Sequence, residues 1–263
     1  MMAPPLPVAP QAGASGVWPD HAARFYAAAL DRSDYAAAAA AALRGLLGIP
    51  ASLLDIGAGA GQPVAGWLPA TAHWTALEPN RYLRARLGRL ARTTHPRLRP
   101  LAAPWEALPG LGLPRHGVAL AANIAGPMAE PHPLLALMRR YASGAVAWIV
   151  PAQRGPRRWC LSGALPAALH GEDEQPAVAL VLERLGAVAR PDRSAVFPWT
   201  FRARFADAGA AIAHCAAQLA LAPDAPCHAA LAAHLDTILR PLPEGGVELA
   251  APKLSALLAW DLA

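Results

Sequence analysis

"LLDIGAGAG", residues 53–61, holds the reading that decides the fold. Two apolar residues lead to an acid, Asp55, and then Gly57, Gly59 and Gly61 alternate with small residues. This describes a strand that runs into a turn with no room for side chains. Pro63 suits the first turn of a following helix. A strand, a glycine turn and a helix in this order let backbone approach a ligand closely, and an acid at the end of the next strand can accept hydrogen bonds from a ribose diol. Glu78, in "HWTALEPN" (73–80), is that acid. A cofactor carrying a nucleoside is therefore expected. A dinucleotide site asks for G-x-G-x-x-G, but the position three after Gly59 is Gln62, which argues against a pyrophosphate.

Outward from this centre, residues 18–47 have a helical pattern, with Asp20 as an expected N-cap and a second helix starting near Ser33-Asp34. Gly48-Ile49-Pro50 should end it. A third strand is expected at 97–102, a fourth at 117–124 and a fifth at 144–151, with a helix at 133–142 between the last two. Apolar strands alternating with helices predict an α/β fold: a Rossmann-like, mostly parallel sheet of seven strands, covered by helices on both faces. Ligands bind such sheets at the carboxyl ends of the strands. Further along, 175–187 and 201–221 look helical, and 192–199 and 253–262 look like strands. A helical insertion at about 201–240 is expected before the last strand. Its two apolar sets, Phe201, Phe205, Ile212 and Leu219, and Leu231, Leu235, Ile238 and Leu239, should pack on each other or on a second copy in a homodimer.

At 263 residues with 55% hydrophobic content, the chain can bury one large core. Much of the apolar content is alanine, as in "YAAAAAAAL" (35–43), which favours helix, and no apolar run reaches the roughly 20 residues that span a bilayer. Residues 1–17 are rich in Pro, Ala and Gly and are expected to be a disordered lead rather than a signal peptide. Three cysteines, Cys160, Cys215 and Cys227, have neither metal-site nor disulfide spacing. Reduced thiols and a cytoplasmic location are expected, with no metal. The net charge of +5 is almost all scattered arginine, and the run 81–99 fits a helix with a solvated basic face. Nucleic acid is not the expected partner, and a membrane is excluded as one.

The ordered motifs resemble those of the class I S-adenosylmethionine-dependent methyltransferases, small-molecule type. "LLDIGAGAG" is similar to the first motif, "ALEPN" to the second, "LAAPWEALPG" (101–110) to the third and "GVALAANIAG" (117–126) to the fourth. The stretch 137–151 is similar to the helix and fifth strand that follow, and "WPDHAARFY" (18–26) to an N-terminal helix that lids the cofactor. The resemblance spans about 18–151. It implies a lid at 18–50, a catalytic domain at 51–263, and S-adenosyl-L-methionine as cofactor, with S-adenosyl-L-homocysteine as product.

Carried over by position, Asp55 would orient the methionine part, and Gly57, Ala58, Gly59 and Gly61 would bring backbone to the cofactor. Glu78, followed by Pro79, would take the ribose hydroxyls. Trp105 and Glu106 would flank the adenine, and Asn123 would lie beside the sulfonium. Pro104 stands where relatives often place an acid for the adenine amine.

The acceptor is expected to be a small molecule, its receiving atom left open. Methyl transfer from a sulfonium is an in-line displacement that alignment and water exclusion can drive without a covalent nucleophile. Where a base is needed, Glu130 and His132 in "GPMAEPHP" are the candidates. Trp18 and Tyr26 from the lid, and Arg154 and Trp159 after the fifth strand, with Arg157 and Arg158, are candidates for the acceptor, the arginines as clamps for a carboxylate or phosphate. The segment Asn123-Ile124-Ala125-Gly126 lacks the Pro-Pro-aromatic arrangement associated with methylation of nucleobase amines. A non-catalytic protein that binds the same cofactor is the second expectation. An RNA methyltransferase and an NAD-dependent oxidoreductase rank lower.

Overall fold

The computed structural model describes residues 18–124, 128–154, 161, 163–166, 169, 175–219, 221–222 and 225–262. Two helices, α1 (Asp20–Arg32) and α2 (Tyr35–Leu47), precede strand β1 (Ser52–Ile56). Then come α3 (Gln62–Ala65), β2 (His73–Leu77), α4 (Arg81–Thr93) and β3 (Leu98–Leu101). A 3₁₀ helix (Trp105–Leu111) leads to β4 (His116–Ala122), α5 (Pro131–Tyr141) and β5 (Ala142–Pro151). The rest comprises α6 (Ala177–Leu185), β6 (Arg193–Phe205), α7 (Ala208–Gln218), α8 (Pro226–Ile238), β7 (Arg240–Pro241) and β8 (Val247–Asp261).

The sheet runs β3-β2-β1-β4-β5-β8-β6, and the two-residue β7 pairs with β8 to make an eighth strand beside the seven expected. β1 to β5 pair in parallel, and β8 runs antiparallel to both β5 and β6. β1 has β2 on one side and β4 on the other, so the chain reverses its direction of winding there. In open α/β sheets that switch point is where ligands bind.

Alternation along β1 sends Leu53 into one core and Leu54 and Ile56 into the other. The first core, with Trp67, Trp74 and Phe201, lies under α1 and α2. The second, with Met138 and Trp148, lies under α5 and α6. Both faces are covered, as continuous apolar strands require.

Three expectations need correction. Residues 201–205 are strand, not helix. Phe197, Trp199, Phe201 and Ala203 are all buried at period two while Val196 and Pro198 are exposed, and β8 pairs with the strand as far as Phe205↔Val247. The last strand correspondingly starts at Val247 rather than at 253. Asp20 does not cap α1: Pro19 holds the cap position, and Asp20 Oδ1 accepts instead from Asn80 Nδ2 at 3.1 Å. The insertion helices α7 and α8 pack on each other, with Leu231 and Leu235 fully buried. No described helix is long and apolar enough to cross a membrane, and no described cluster of side chains could hold a metal ion. Of the cysteines, Cys215 is buried and Cys227 half-buried, and neither is in a disulfide among the described residues; Cys160 and the lead 1–17 lie outside the described residues.

Candidate functional site

A cleft opens at the carboxyl ends of β1, β2 and β4, with about 1140 Å³ of open space, mouth included. Its floor is the glycine turn. Gly59 has φ +59°, and a Cβ there would meet nothing within 4 Å, so the bare backbone faces the opening. Gly61 differs. It does not line the cleft; a Cβ on it would lie 2.9 Å from Leu87 Cδ2 and from Trp74 Cη2. The third glycine therefore serves close packing of α4 and β2 against the turn, and its expected place at the cofactor is withdrawn. Gln62 spends its amide on α1, donating to Asp31 Oδ1 (3.1 Å) and to the Ala27 carbonyl (3.3 Å).

Two buried acids stand over this floor. Asp55, 1% exposed, accepts from Trp74 Nε1 at 3.1 Å. Burial raises its pKa from 3.8 to about 7; the Trp74 bond works against the rise and the nearby Glu78 adds to it. Glu78, 6% exposed, follows β2 directly, and its two oxygens accept from the backbone N–H of Gly59 (2.8 Å) and of Asn80 (2.7 Å). Burial raises its pKa too, opposed by those two N–H donors. A carboxylate has about four lone-pair sites, so Glu78 keeps acceptor capacity toward the opening while its orientation is fixed.

Pro79, Pro104, Trp105 and Glu106 form one wall, and Asn123 and Ile124 at the end of β4 form another. Asn123 has φ +50°, the one positive value among described non-glycine residues, and its Nδ2 donates to the Tyr35 hydroxyl at 2.9 Å. The helical layer closes the remaining side with Trp18, Tyr26 and Leu30 of the first helix segment and Tyr35 of α2. Tyr26 meets Trp18 edge-on (4.7 Å) and stacks on Phe201 (5.7 Å). Asp31 pairs with Arg86 at 2.8 Å, which ties α1 to α4. Among the described lining residues stand three carboxylates, Asp55, Glu78 and Glu106, and no Arg, Lys or His.

The expected acceptor residues divide. Trp18 and Tyr26 line the cleft, whereas Arg154 is exposed beyond β5 and does not. Trp159, with Arg157 and Arg158, falls outside the described residues. Neither base candidate lines the cleft. Glu130 is exposed at the cap of α5. His132, the second residue of that helix, is exposed, and its Nε2 donates to the Arg184 carbonyl at 3.0 Å, joining α5 to α6. With neither residue in the lining, no base role is carried forward for them.

Three contributors were missed. Tyr35 lay hidden in a run of alanines. Trp74, which holds Asp55, looked like an ordinary strand residue. Asn80 caps α4 through Leu83 N and holds α1 by donating to the Trp18 carbonyl at 2.9 Å. An asparagine just before a helical pattern is a readable cap signal.

No family model and no curated protein matches this sequence. Solved structures do resemble it. One, from Anaeromyxobacter dehalogenans and provisionally assigned as a type II methyltransferase, is 20% identical, with 80% of this chain and 89% of that one covered at a TM-score of 0.47. A precorrin-6y C5,15-methyltransferase from Geobacter metallireducens GS-15 is 14% identical, with 87% of each chain covered at 0.44. A geranyl diphosphate methyltransferase in complex with SAM is 13% identical, with 87% and 85% covered at 0.45.

Proposed function

We propose that the chain is an S-adenosylmethionine-dependent methyltransferase acting on a small-molecule acceptor. The observation that carries this reading is the charge of the cleft. It has three carboxylates, no described cation, and a glutamate clamped by backbone at the end of β2. A diphosphate entering such walls would be repelled, whereas a nucleoside bearing a cationic arm is attracted. Glu78 would take the ribose diol, Trp105 and Glu106 the adenine, and Asp55 the ammonium. Gly57, Ala58 and Gly59 would give close backbone approach.

Bound there, S-adenosylmethionine supplies a methyl group on a sulfonium, ready for in-line displacement. The chain's own part is alignment and exclusion of water. Trp18 and Tyr26 cover the mouth, and Asn123 borders the reacting end. With Glu130 and His132 away from the lining, no general base is assigned. That same observation favours the second reading, a non-catalytic protein that binds the cofactor. A cytoplasmic location goes with this reading.

Melting separates these readings from a dinucleotide enzyme. S-adenosylhomocysteine is expected to raise the melting temperature and NADH to leave it unchanged; the reverse would overturn the proposal. Candidate acceptors added with S-adenosylhomocysteine should give a further rise if the chain is an enzyme.

In this reading the segment 18–50 acts as a lid. α1 is anchored by Phe25 and Tyr26 on β6 and by the Asp31–Arg86 pair, so opening would be a partial release of its N-terminal turns. Amides of residues 20–30 are expected to gain hydrogen-exchange protection with S-adenosylhomocysteine, more than those of α5. Equal, high protection with and without ligand would make α1 a fixed structural helix.

A further inference from the structure

Tyr35 opens α2, lines the cleft and is 2% exposed. Its ring packs on Trp199 (centroids 4.7 Å apart) and Phe197 (6.5 Å), which fixes its direction. The hydroxyl oxygen accepts from Asn123 Nδ2 at 2.9 Å. Asn123 is itself held in place, its N–H donating to the Ile149 carbonyl at 2.9 Å while its φ stays at +50°. Asparagine takes that left-handed conformation more readily than most side-chain-bearing residues.

With its oxygen engaged as an acceptor, the hydroxyl still has a hydrogen to donate, and no described residue takes it. Burial pushes the Tyr35 pKa well above its usual 10, with Tyr26 and Asp55 adding to the effect, so the group remains a donor at all working pH values. A buried donor left without an acceptor is costly, and native structures rarely keep one without a reason.

Most side-chain amide hydrogens of the lining are already engaged: Gln62 donates to Ala27 and Asp31, Asn80 to Trp18 and Asp20, and Asn123 places one of its two on Tyr35. An amino-acid arm entering the cleft brings both an ammonium and a carboxylate. Asp55 answers the first. The second would otherwise face a wall of acids, and a neutral, permanently protonated donor relieves that conflict without cancelling the cleft's attraction for cations.

We propose that the Tyr35 hydroxyl donates to the α-carboxylate of the cofactor's amino-acid arm, so that Tyr35 and Asp55 together recognise a zwitterion. The proposal rests on the cofactor assignment above. It makes Tyr35 a binding residue with one particular group as its target, and a ligand that lacks that group should be indifferent to it.

Calorimetry with wild type and Tyr35→Phe tests this, using S-adenosylhomocysteine and its decarboxylated analogue, which keeps the amine. The substitution retains the ring and its packing, and equal melting temperatures of the free proteins would confirm that. Tyr35→Phe is expected to weaken S-adenosylhomocysteine by about 10- to 100-fold, the loss of one hydrogen bond to a charged group. The decarboxylated analogue should change by less than about twofold. Equal weakening of both ligands would show that Tyr35 merely props Asn123, and an unchanged affinity for S-adenosylhomocysteine would show that the hydroxyl meets no carboxylate; either overturns the proposal. If wild type binds neither ligand, the cofactor assignment fails and the proposal fails with it. If wild type binds both and the substitution has no selective effect, the assignment stands and only the role of Tyr35 is lost.

Discussion

Glu78→Ala is expected to weaken S-adenosylhomocysteine by at least about 100-fold and to cost the free protein about 2–4 kcal/mol. The two losses have different origins. In the free protein the Gly59 and Asn80 N–H groups both donate to the Glu78 carboxylate. Removing it strands two donors at the base of the cleft, each costing about 1–3 kcal/mol where water cannot reach and less where it can. The glycine turn is then no longer tied to the end of β2. Binding loses the two acceptors for the ribose hydroxyls as well as that ordering. Glu78→Gln sharpens the comparison, because an amide can accept from one N–H but presents its own hydrogens to the other. Denaturant unfolding measures the first effect and calorimetry the second. Loss of stability with unchanged affinity would reduce Glu78 to a clamp for the turn.

Asp55 is expected to make both stability and ligand binding depend on pH, in opposite senses. Its pKa is 3.8 unperturbed and about 7 in the folded protein. Between those values the folded state holds a proton that the unfolded chain has released, so the free protein loses stability as pH rises from about 4 to 7 and loses no more above that. The total for this one group is roughly 4 kcal/mol. Glu78, also raised, acts in the same sense, while the lowered values of His116 and His214 act oppositely as pH falls below the ordinary histidine range. The quantity to measure is therefore the difference between wild type and Asp55→Asn, in which the other groups cancel. An ammonium beside Asp55 favours its charged form. S-adenosylhomocysteine should bind more tightly as pH rises to about 7, by up to about tenfold per pH unit, and level off above it. The Asn variant should lack that slope. A wild-type affinity independent of pH between about 5.5 and 7.5 would mean that Asp55 is already ionised or lies away from the ammonium.

The parallel half of the sheet was legible because all of its strands but β3, which carries Arg99 and Pro100, are short apolar runs ending at a turn signal. Such a pattern needs no tertiary information. β6 was not, because Phe201 and Phe205 are four apart and lead into Ile212 and Leu219, a spacing that also fits one face of a helix. Only pairing with β8 settles it, and pairing is a long-range fact. Within the site, Asp55, Gly59 and Glu78 were readable since backbone conformation and strand ends dictate them. Gly61 was misassigned for an instructive reason: positive φ and close approach are common to ligand contact and to packing, and here Leu87 and Trp74 are what approach it. His132 and Glu130 offer acid-base chemistry near a strand end in sequence, yet nearness in sequence does not put a side chain in the lining, and neither is there. Tyr35 was beyond reach of local pattern, because its importance comes from Asn123, which β4 brings to it from 88 residues away.

The most direct test of the central claim is a crystal structure of the protein with S-adenosylhomocysteine. The expected result has the ribose hydroxyls within hydrogen-bond distance of Glu78, the amino-acid arm beside Asp55, and the adenine against Trp105. A ligand bound outside the cleft, or a nucleoside in the cleft whose ribose leaves Glu78 untouched, would contradict the account.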